Sequence, residues 1–572
     1  MKKALQISKS KVYIVLMIFT LLAAYLKIRI GEDIDEECLI FMTYRISEGA
    51  VLLRDIWDVY QTSMCLSVPL VRLFALFSPD MSYLMLYLRI CSVLVQFLTA
   101  SFCFIVINRY YSKRTAFLTA IAVATILPRS IQSMEYGFNA VIFMVISVLL
   151  LFDIWKGKKT DSFISLVLSG ISYALAVFAY PTMVITLPVI VYIILFRIYG
   201  SKGKSIKSLV IFLGTCAALA LIVVIWLLRY MSPNELISNI RGVLDSGDHS
   251  GLFSFLQNRK ELVKTMIRCV GLFAVPVVLS IPLLRSGKKN AVPYVYIVFM
   301  LILIMGLNLT GLRPSGPFGL LERYMVIIPM TVFFIPGNKK EVEVFWLFFI
   351  MGIGTYIGAL AGTNLGLKEN ALYLELSLLA FIIYACCEAE NTDGSLSRDP
   401  YAVFKSAAVA LFVFELIFSK AYFVRVDGTK PANIFEKRSE CETAILRGIR
   451  NYGEAVDSKN AGTEYINSIT ESDKTYAYIG SESVSFFYFN GELVQPQYNT
   501  TITCGHQWVD YYDKNHDLPD YLFIDRRSFS EKDDFYETEF GKEVKNLYNE
   551  DSDKTNDLLI ILARDRRGNP KK

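Results

Sequence analysis

The sequence predicts an α-helical polytopic membrane protein of about thirteen spans, followed by a small C-terminal α/β soluble domain. Three observations carry this expectation. The chain of 572 residues is 54% hydrophobic with a mean hydropathy of +0.42, more apolar than a soluble core requires. Apolar runs long enough to cross a bilayer are separated by short basic clusters. After Phe423 the composition turns abruptly charged and aromatic. The expected organisation is therefore a membrane domain over 1–423 and an extracytoplasmic domain over 424–572.

The first span, 12–30, follows MKKALQISKSK. That basic flank resembles a signal peptide, but the apolar stretch is long and no small-residue cleavage site follows. It reads as an uncleaved helix with its N-terminus inside. Basic clusters at Arg109/Lys113/Arg114, Lys156/Lys158/Lys159, Arg197/Lys202/Lys204/Lys207, Arg285/Lys288/Lys289 and Lys339/Lys340 mark the cytoplasmic loops of a plasma-membrane protein. Two spans fit between successive clusters, which predicts helices at 115–134, 139–155, 163–178, 182–196, 209–229, 266–284, 291–309 and 324–335. Further spans at 342–362, 371–387 and 403–423 put the C-terminus outside.

Between the first span and Arg109 only one crossing is available, and 83–107 fills it. The segments 39–53 and 64–77, the latter with Pro69 and Arg72, then read as helices lying in the outer interface. In the C-terminal region 475–479, 521–525 and 558–563 have the composition of short buried strands.

The net charge of +5 lies in these loop clusters, so it reports topology rather than a nucleic-acid partner. His249, His506 and His516 are the chain's only histidines, all in polar segments, and no CxxC pair occurs. No metal centre and no cofactor are expected. Cys441 and Cys504 both fall outside, and their pairing stays open at this stage.

Candidate chemistry concentrates after the first span, where the seven residues Gly31 to Glu37 hold five carboxylates, Glu32, Asp33, Asp35, Glu36 and Glu37. Without context such a run is a solvated acidic loop. Here it leads into 39–53, then Arg54-Asp55-Ile56-Trp57-Asp58-Val59-Tyr60-Gln61-Thr62-Ser63, then the helix containing Pro69.

This arrangement resembles the GT-C superfamily of membrane glycosyltransferases, especially the protein O-mannosyltransferase and aminoarabinose transferase branch. There a first-helix exit carries an Asp-Glu pair, matched by Asp35-Glu36, and two juxtamembrane helices follow. A loop with a further interfacial helix after the seventh span, here 230–264, belongs to the same pattern. The resemblance implies inverting transfer of a sugar from a polyprenyl-phosphate donor to a glycan, lipid or protein acceptor on the non-cytoplasmic side, among membrane lipids.

It also implies Asp35 as general base with Glu36 beside it, and Asp33 as a neighbour that orients it or holds the acceptor. The second acidic position of the family is matched by Glu135. Glu135, Asp58, Gln61 and His249 are the further acceptor-binding candidates, although a lone His in a polar loop is usually only solvated. Phosphate binding calls for outer cations, and Arg54, Arg72, Arg129, Arg313 and Arg323 are the candidates. Each serves equally as an anchor to lipid head groups. The branch's Lys-Pro pair at the second juxtamembrane helix is replaced by Gln61-Thr62-Ser63.

A lipid-linked glycan flippase is the rival reading, although neither internal repeats nor paired broken helices support it. A late-loop polymerase or ligase and a non-catalytic scaffold are further alternatives. Loss of sugar transfer on replacing Asp35 separates the enzyme from all three.

Overall fold

The structure is a computed structural model. It describes residues 2–32, 34–125, 132–157, 162–198, 201–244, 259–287, 295, 298–299, 302, 339–362, 373–393, 423–424, 432–433, 438–480, 488–498, 504–514 and 516–565. The expected spans at 291–309, 324–335 and 403–423 fall wholly or almost wholly outside these residues, as do Asp33, Arg129, His249, Arg313 and Arg323.

The membrane domain is helical. Its elements run α1 (Lys2–Lys27), α2 (Ile34–Ser47), α3 (Gln61–Met64), α4 (Val68–Ala75), α5 (Leu84–Asn108), α6 (Lys113–Ala124), α7 (Tyr136–Gly157) and α8 (Phe163–Ala179). They continue with α9 (Leu187–Ile193), α10 (Lys202–Leu227), α11 (Pro233–Leu244), α12 (Arg259–Arg285), α13 (Lys339–Ala361) and α14 (Glu375–Asp393). Among the described residues, Leu84–Asn108, Tyr136–Gly157, Pro181–Ile198 and Lys202–Leu227 are long and apolar enough to cross a membrane.

α7 is central and α10 peripheral, for 89% of the apolar window of the first is buried and 11% of the second. Apolar side chains such as Val210, Leu221 and Ile222 stand exposed on α10. In a bilayer this is the lipid-facing surface, where apolar exposure costs nothing.

Several sequence expectations change in detail. The helix expected over 115–134 is α6, which ends at Ala124. The crossing expected over 182–196 mixes a 3₁₀ turn at Pro181–Thr186, α9 and a π segment at Ile194–Ile198. Pro181 and Pro188 lack amide donors, which favours such departures from α geometry.

Within the segment 39–53, α2 ends at Ser47. Residues 36–43 of α2 are buried all round, because the helix is enclosed by the bundle on one side and the C-terminal domain on the other. α4 and the residues just after it expose Leu73, Leu76 and Phe77.

In the C-terminal region, β1 (Phe423–Val424) pairs with β2 (Ala432–Asn433), and β3 (Ser439–Glu440) pairs with β4 (Arg450–Asn451). A five-stranded mixed sheet of β5 (Thr475–Ile479), β6 (Glu492–Leu493), β7 (Tyr521–Asp525), β8 (Tyr548–Glu550) and β9 (Leu559–Arg564) has the order β6-β5-β7-β9-β8. β5 is parallel to β6 and β7, and β9 is antiparallel to β7 and β8. Strands β5, β7 and β9 are almost continuously buried, as central strands covered on both faces are. Helices α15 (Gly453–Ile469) and α16 (His506–Lys514) accompany the sheet.

Trp57 joins the two regions. Its amide donates to Pro496 O at 2.7 Å, its indole to Leu53 O at 2.9 Å, and its carbonyl accepts from Gln507 Nε2 at 2.9 Å. The indole lies against Gly242 of α11, where an added Cβ would fall 2.4 Å from the ring. Gly242→Ala should therefore destabilise the protein by about 1–3 kcal/mol through overpacking, measured as a fall in melting temperature. Gly203→Ala, in open space on α10, is the control that should not fall.

Candidate functional site

α1 ends at Lys27, and the turn that follows carries carbonyls outside the helical ladder. Arg89, one and a half turns into α5, pairs with three of them. Its guanidinium donates to Ile28 O at 3.2 Å, Ile30 O at 3.3 Å and Gly31 O at 2.7 Å. The remaining donors reach Glu36 Oε1 at 2.8 Å and Oε2 at 2.5 Å. All five guanidinium N–H groups are used, and both side chains are about 1% exposed. Gly31 turns the chain at φ +70°, in the left-handed region that favours glycine.

A second buried cation holds the rest of the acidic run. Lys459 of α15 pairs with Glu32 at 2.9 Å and with Glu37. Asn451 Nδ2 also donates to Glu32 Oε1 at 2.6 Å. Backbone bonds from Gly31 N to Arg450 O at 2.9 Å and from Arg450 N to Arg29 O at 2.7 Å complete the seam. The acidic exit of the first helix is thus clamped between α5 and the C-terminal domain.

Because α2 begins at Ile34, successive side chains point about 100° apart. Glu36 turns to α5 and Glu37 to α15. The pair expected to act together, Asp35 and Glu36, therefore points in two directions. Asp35 is half-buried whereas Glu32, Glu36 and Glu37 are buried. Three carboxylates in the first turn also complement the helix dipole.

Asp35 shares a helix face with Cys38. Burial first, then the charges of Asp58 and Glu37, push the Cys38 thiol well up. The loop carrying Asp58 is internally bonded: Asp58 Oδ1 accepts from Tyr60 N at 2.8 Å, and Gln61 Oε1 from Leu53 N at 2.7 Å. Asp58 and Gln61, expected to bind acceptor, are both buried and shape this loop.

Glu135, just before α7, is 2% exposed. A Cβ on Gly137 would fall 3.0 Å from Glu135 Oε1 and 2.6 Å from the Tyr373 hydroxyl, so only glycine leaves room for both groups. Tyr136 stacks on Tyr60 with centroids 3.8 Å apart and planes at 7°. Tyr180 lies 5.5 Å from Tyr136 and 5.8 Å from Tyr373. Burial, reinforced by Tyr180 and Tyr373, raises the Tyr60 hydroxyl well above its usual range, keeping it a proton donor. Asn139 Nδ2 donates to Ser63 Oγ at 3.2 Å, tying α7 to the same loop.

A polar stripe on α5 connects the two acidic regions. Gln132 Nε2 donates to Ser92 Oγ at 3.0 Å and to Gln96 Oε1 at 3.1 Å, on the helix face that carries Arg89. The loop leading to Glu135 is therefore anchored beneath the Glu36–Arg89 pair.

Of the arginines expected to clamp phosphate, Arg54 and Arg72 lie among the described residues, and each is bonded to protein groups. Arg54 is bidentate with Asp55 at 2.9 and 2.8 Å. Arg72 donates to Ser47 O at 3.3 and 3.2 Å, capping the C-terminal end of α2. Cys441 and Cys504 are free thiols buried in separate clusters. Burial and the charge of Glu32 push the Cys441 thiol up to about 12.

Arg89 and Lys459 are the residues that the sequence reading missed. A lone arginine inside an apolar run is a signal, since it costs roughly 2.5–3.5 kcal/mol near a helix centre. Nothing in sequence marks Lys459 among the many lysines of a polar domain.

The described residues thus form a helical bundle of a multi-pass membrane protein, with a clamped acidic loop after the first helix and an α/β domain packed on it. No family model and no curated protein matches the chain. Among solved structures it is similar to ArnT from Cupriavidus metallidurans in the apo state, with a TM-score of 0.51, 11% identity, and 99% of this chain and 100% of that chain covered. The crystal structure of the same ArnT bound to undecaprenyl phosphate gives 0.49, 9% identity, and 99% of each chain covered. The resemblance drawn from residues 32–69 holds at the level of the fold.

Proposed function

We propose that this chain transfers a sugar from a polyprenyl-phosphate donor to an acceptor hydroxyl on the extracytoplasmic face, with Asp35 as general base. The observation that carries this reading is the sorting of the first-loop carboxylates. Glu32, Glu36 and Glu37 are buried in ion pairs with Lys459 and Arg89, and Asp35, next to Glu36 in the first turn of α2, is half-buried. A half-buried carboxylate beside that clamp supports its assignment as the base.

In the reaction Asp35 takes the acceptor's proton as its oxygen attacks the anomeric carbon from the side opposite the phosphate. The bond from that carbon to the phosphate oxygen breaks, and polyprenyl phosphate leaves with the electron pair. The configuration inverts, and no second acid is needed because the phosphate leaves as an anion. Glu36 acts as a positioning residue through Arg89. Glu135, over Gly137 and beside the tyrosine stack, is assigned to acceptor binding, and Asp58 and Gln61 shape the intervening loop.

Arg72 is the described arginine best placed for a lipid phosphate, since α4 and the residues just after it also expose Leu73, Leu76 and Phe77. Arg54, Arg129, Arg313 and Arg323 complete the candidate donor contacts, with Asp33 and His249 on the acceptor side. The reading includes thirteen spans, an inside N-terminus and an outside C-terminal domain.

Membranes expressing the wild type should move radiolabel from one member of a panel of polyprenyl-phosphate sugars. Asp35→Asn, at matched abundance and melting temperature, should lose about 10²- to 10⁴-fold of that rate, the range of a general base. Unimpaired transfer by Asp35→Asn would remove the mechanism. Absence of wild-type transfer from every donor, with active controls, would favour a carrier of lipid-linked glycan.

A further inference from the structure

A cavity of about 610 Å³ opens between the outer end of α5 and the C-terminal domain. Its walls come from the C-terminal domain apart from Tyr83, at the N-terminus of α5. We propose that it is a second, non-catalytic binding site for a neutral, hydroxyl-rich oligosaccharide, which holds the acceptor beside the transfer site. The acceptor role rests on the function proposed above; the binding of a glycan does not.

The cavity has the size of a small-ligand site and the chemistry of a sugar site. Asn460, Thr463 and Asn467 line it from one face of α15, joined by Glu464 and Glu442. Amide, hydroxyl and carboxylate groups match the paired donors and acceptors of sugar hydroxyls. Asn460 Oδ1 is a buried acceptor with no hydrogen-bond partner among the described residues, a vacancy that a ligand hydroxyl fills. Tyr83 offers an aromatic edge for the apolar face of a sugar ring.

The wall is rigid. Tyr83 N and Met85 N, amides of the α5 start, donate to Ala444 O at 2.8 Å and Ile445 O at 3.4 Å. The Arg447 guanidinium lies 5.7 Å from the Tyr83 ring centroid. Tyr83 itself is held at φ +70°, a strained conformation for a large side chain, of the kind that collects at ligand sites.

The placement indicates the acceptor rather than the donor. A polyprenyl chain stays in the bilayer, whereas this cavity belongs to the soluble domain. Asn460, in its wall, follows Lys459 in α15, whose ammonium pairs with Glu32 and Glu37, so the cavity lies beside the clamp on the acidic loop. An oligosaccharide held there has its continuation close to the base.

Saturation-transfer NMR on the full-length protein in nanodiscs, with chitotetraose, maltotetraose and mannotetraose as probes, tests the site. At least one should bind the wild type, and Asn467→Trp, which fills the cavity from an exposed position, should weaken that binding by about tenfold or more. Glu464→Gln, also at an exposed position, should weaken it in the same direction. Asp35→Asn should bind as the wild type does, which separates failure of this site from failure of the transfer mechanism. No saturation by any of the three probes, or binding that neither cavity substitution alters, would overturn the proposal.

Discussion

Arg89→Leu should leave little folded protein. The substitution removes five hydrogen bonds at once and strands the Glu36 carboxylate where it is 1% exposed. Breaking one partner of a buried ion pair costs about 3–5 kcal/mol, a large part of the roughly 5–15 kcal/mol that stabilises a typical domain. Three carbonyls of the turn after α1 lose this donor as well. In detergent, size-exclusion profiles should shift from a monodisperse peak to aggregate, and the surviving fraction should melt far below the wild type.

The double variant Glu36→Gln/Arg89→Met should recover part of the loss, because no charge then remains unpaired in the interior. Equal melting of Arg89→Leu and wild type would show that the pair is hydrated and does not organise the loop.

Lys459→Met should release the C-terminal domain from the first loop. Glu32 and Glu37 would face each other as buried like charges, with Asn451 the remaining donor to Glu32. The cost is again about 3–5 kcal/mol, but it acts on the seam between the domains and not on either core. Hydrogen exchange at the amides of Gly31 and Arg450, which bond across that seam, should speed up by orders of magnitude, while the β5, β7 and β9 amides keep their protection. Transfer should fall together with docking, since the clamp also sets Asp35. In Asp35→Asn the two readouts should separate, with full protection and lost transfer. Unchanged exchange in Lys459→Met would mean that the other contacts between the two regions, those of Trp57 and Tyr83 among them, hold the domain without this ion pair.

The sequence by itself determined a good part of this molecule. Hydropathy located the helices that became α5, α7, α8 and α10, because a bilayer demands continuous apolar length and a helix satisfies its own backbone. Short runs of aromatic and branched apolar residues located β5, β7 and β9. The density of carboxylates after the first helix marked the candidate site, since that much charge at a membrane surface needs an explanation.

Tertiary structure decided what each carboxylate is for. Glu32, Glu36 and Glu37 look equivalent in sequence, and they differ only once Arg89, 53 residues beyond Glu36, and Lys459, 422 residues beyond Glu37, select among them. The same holds for α2 itself, whose mixed composition does not announce its enclosure between two domains. Tyr60, Tyr136, Tyr180 and Tyr373 meet around Glu135 although nothing in their spacing relates them. Periodicity and charge density are local properties that a chain carries with it, whereas ion pairing and enclosure depend on which distant segments meet.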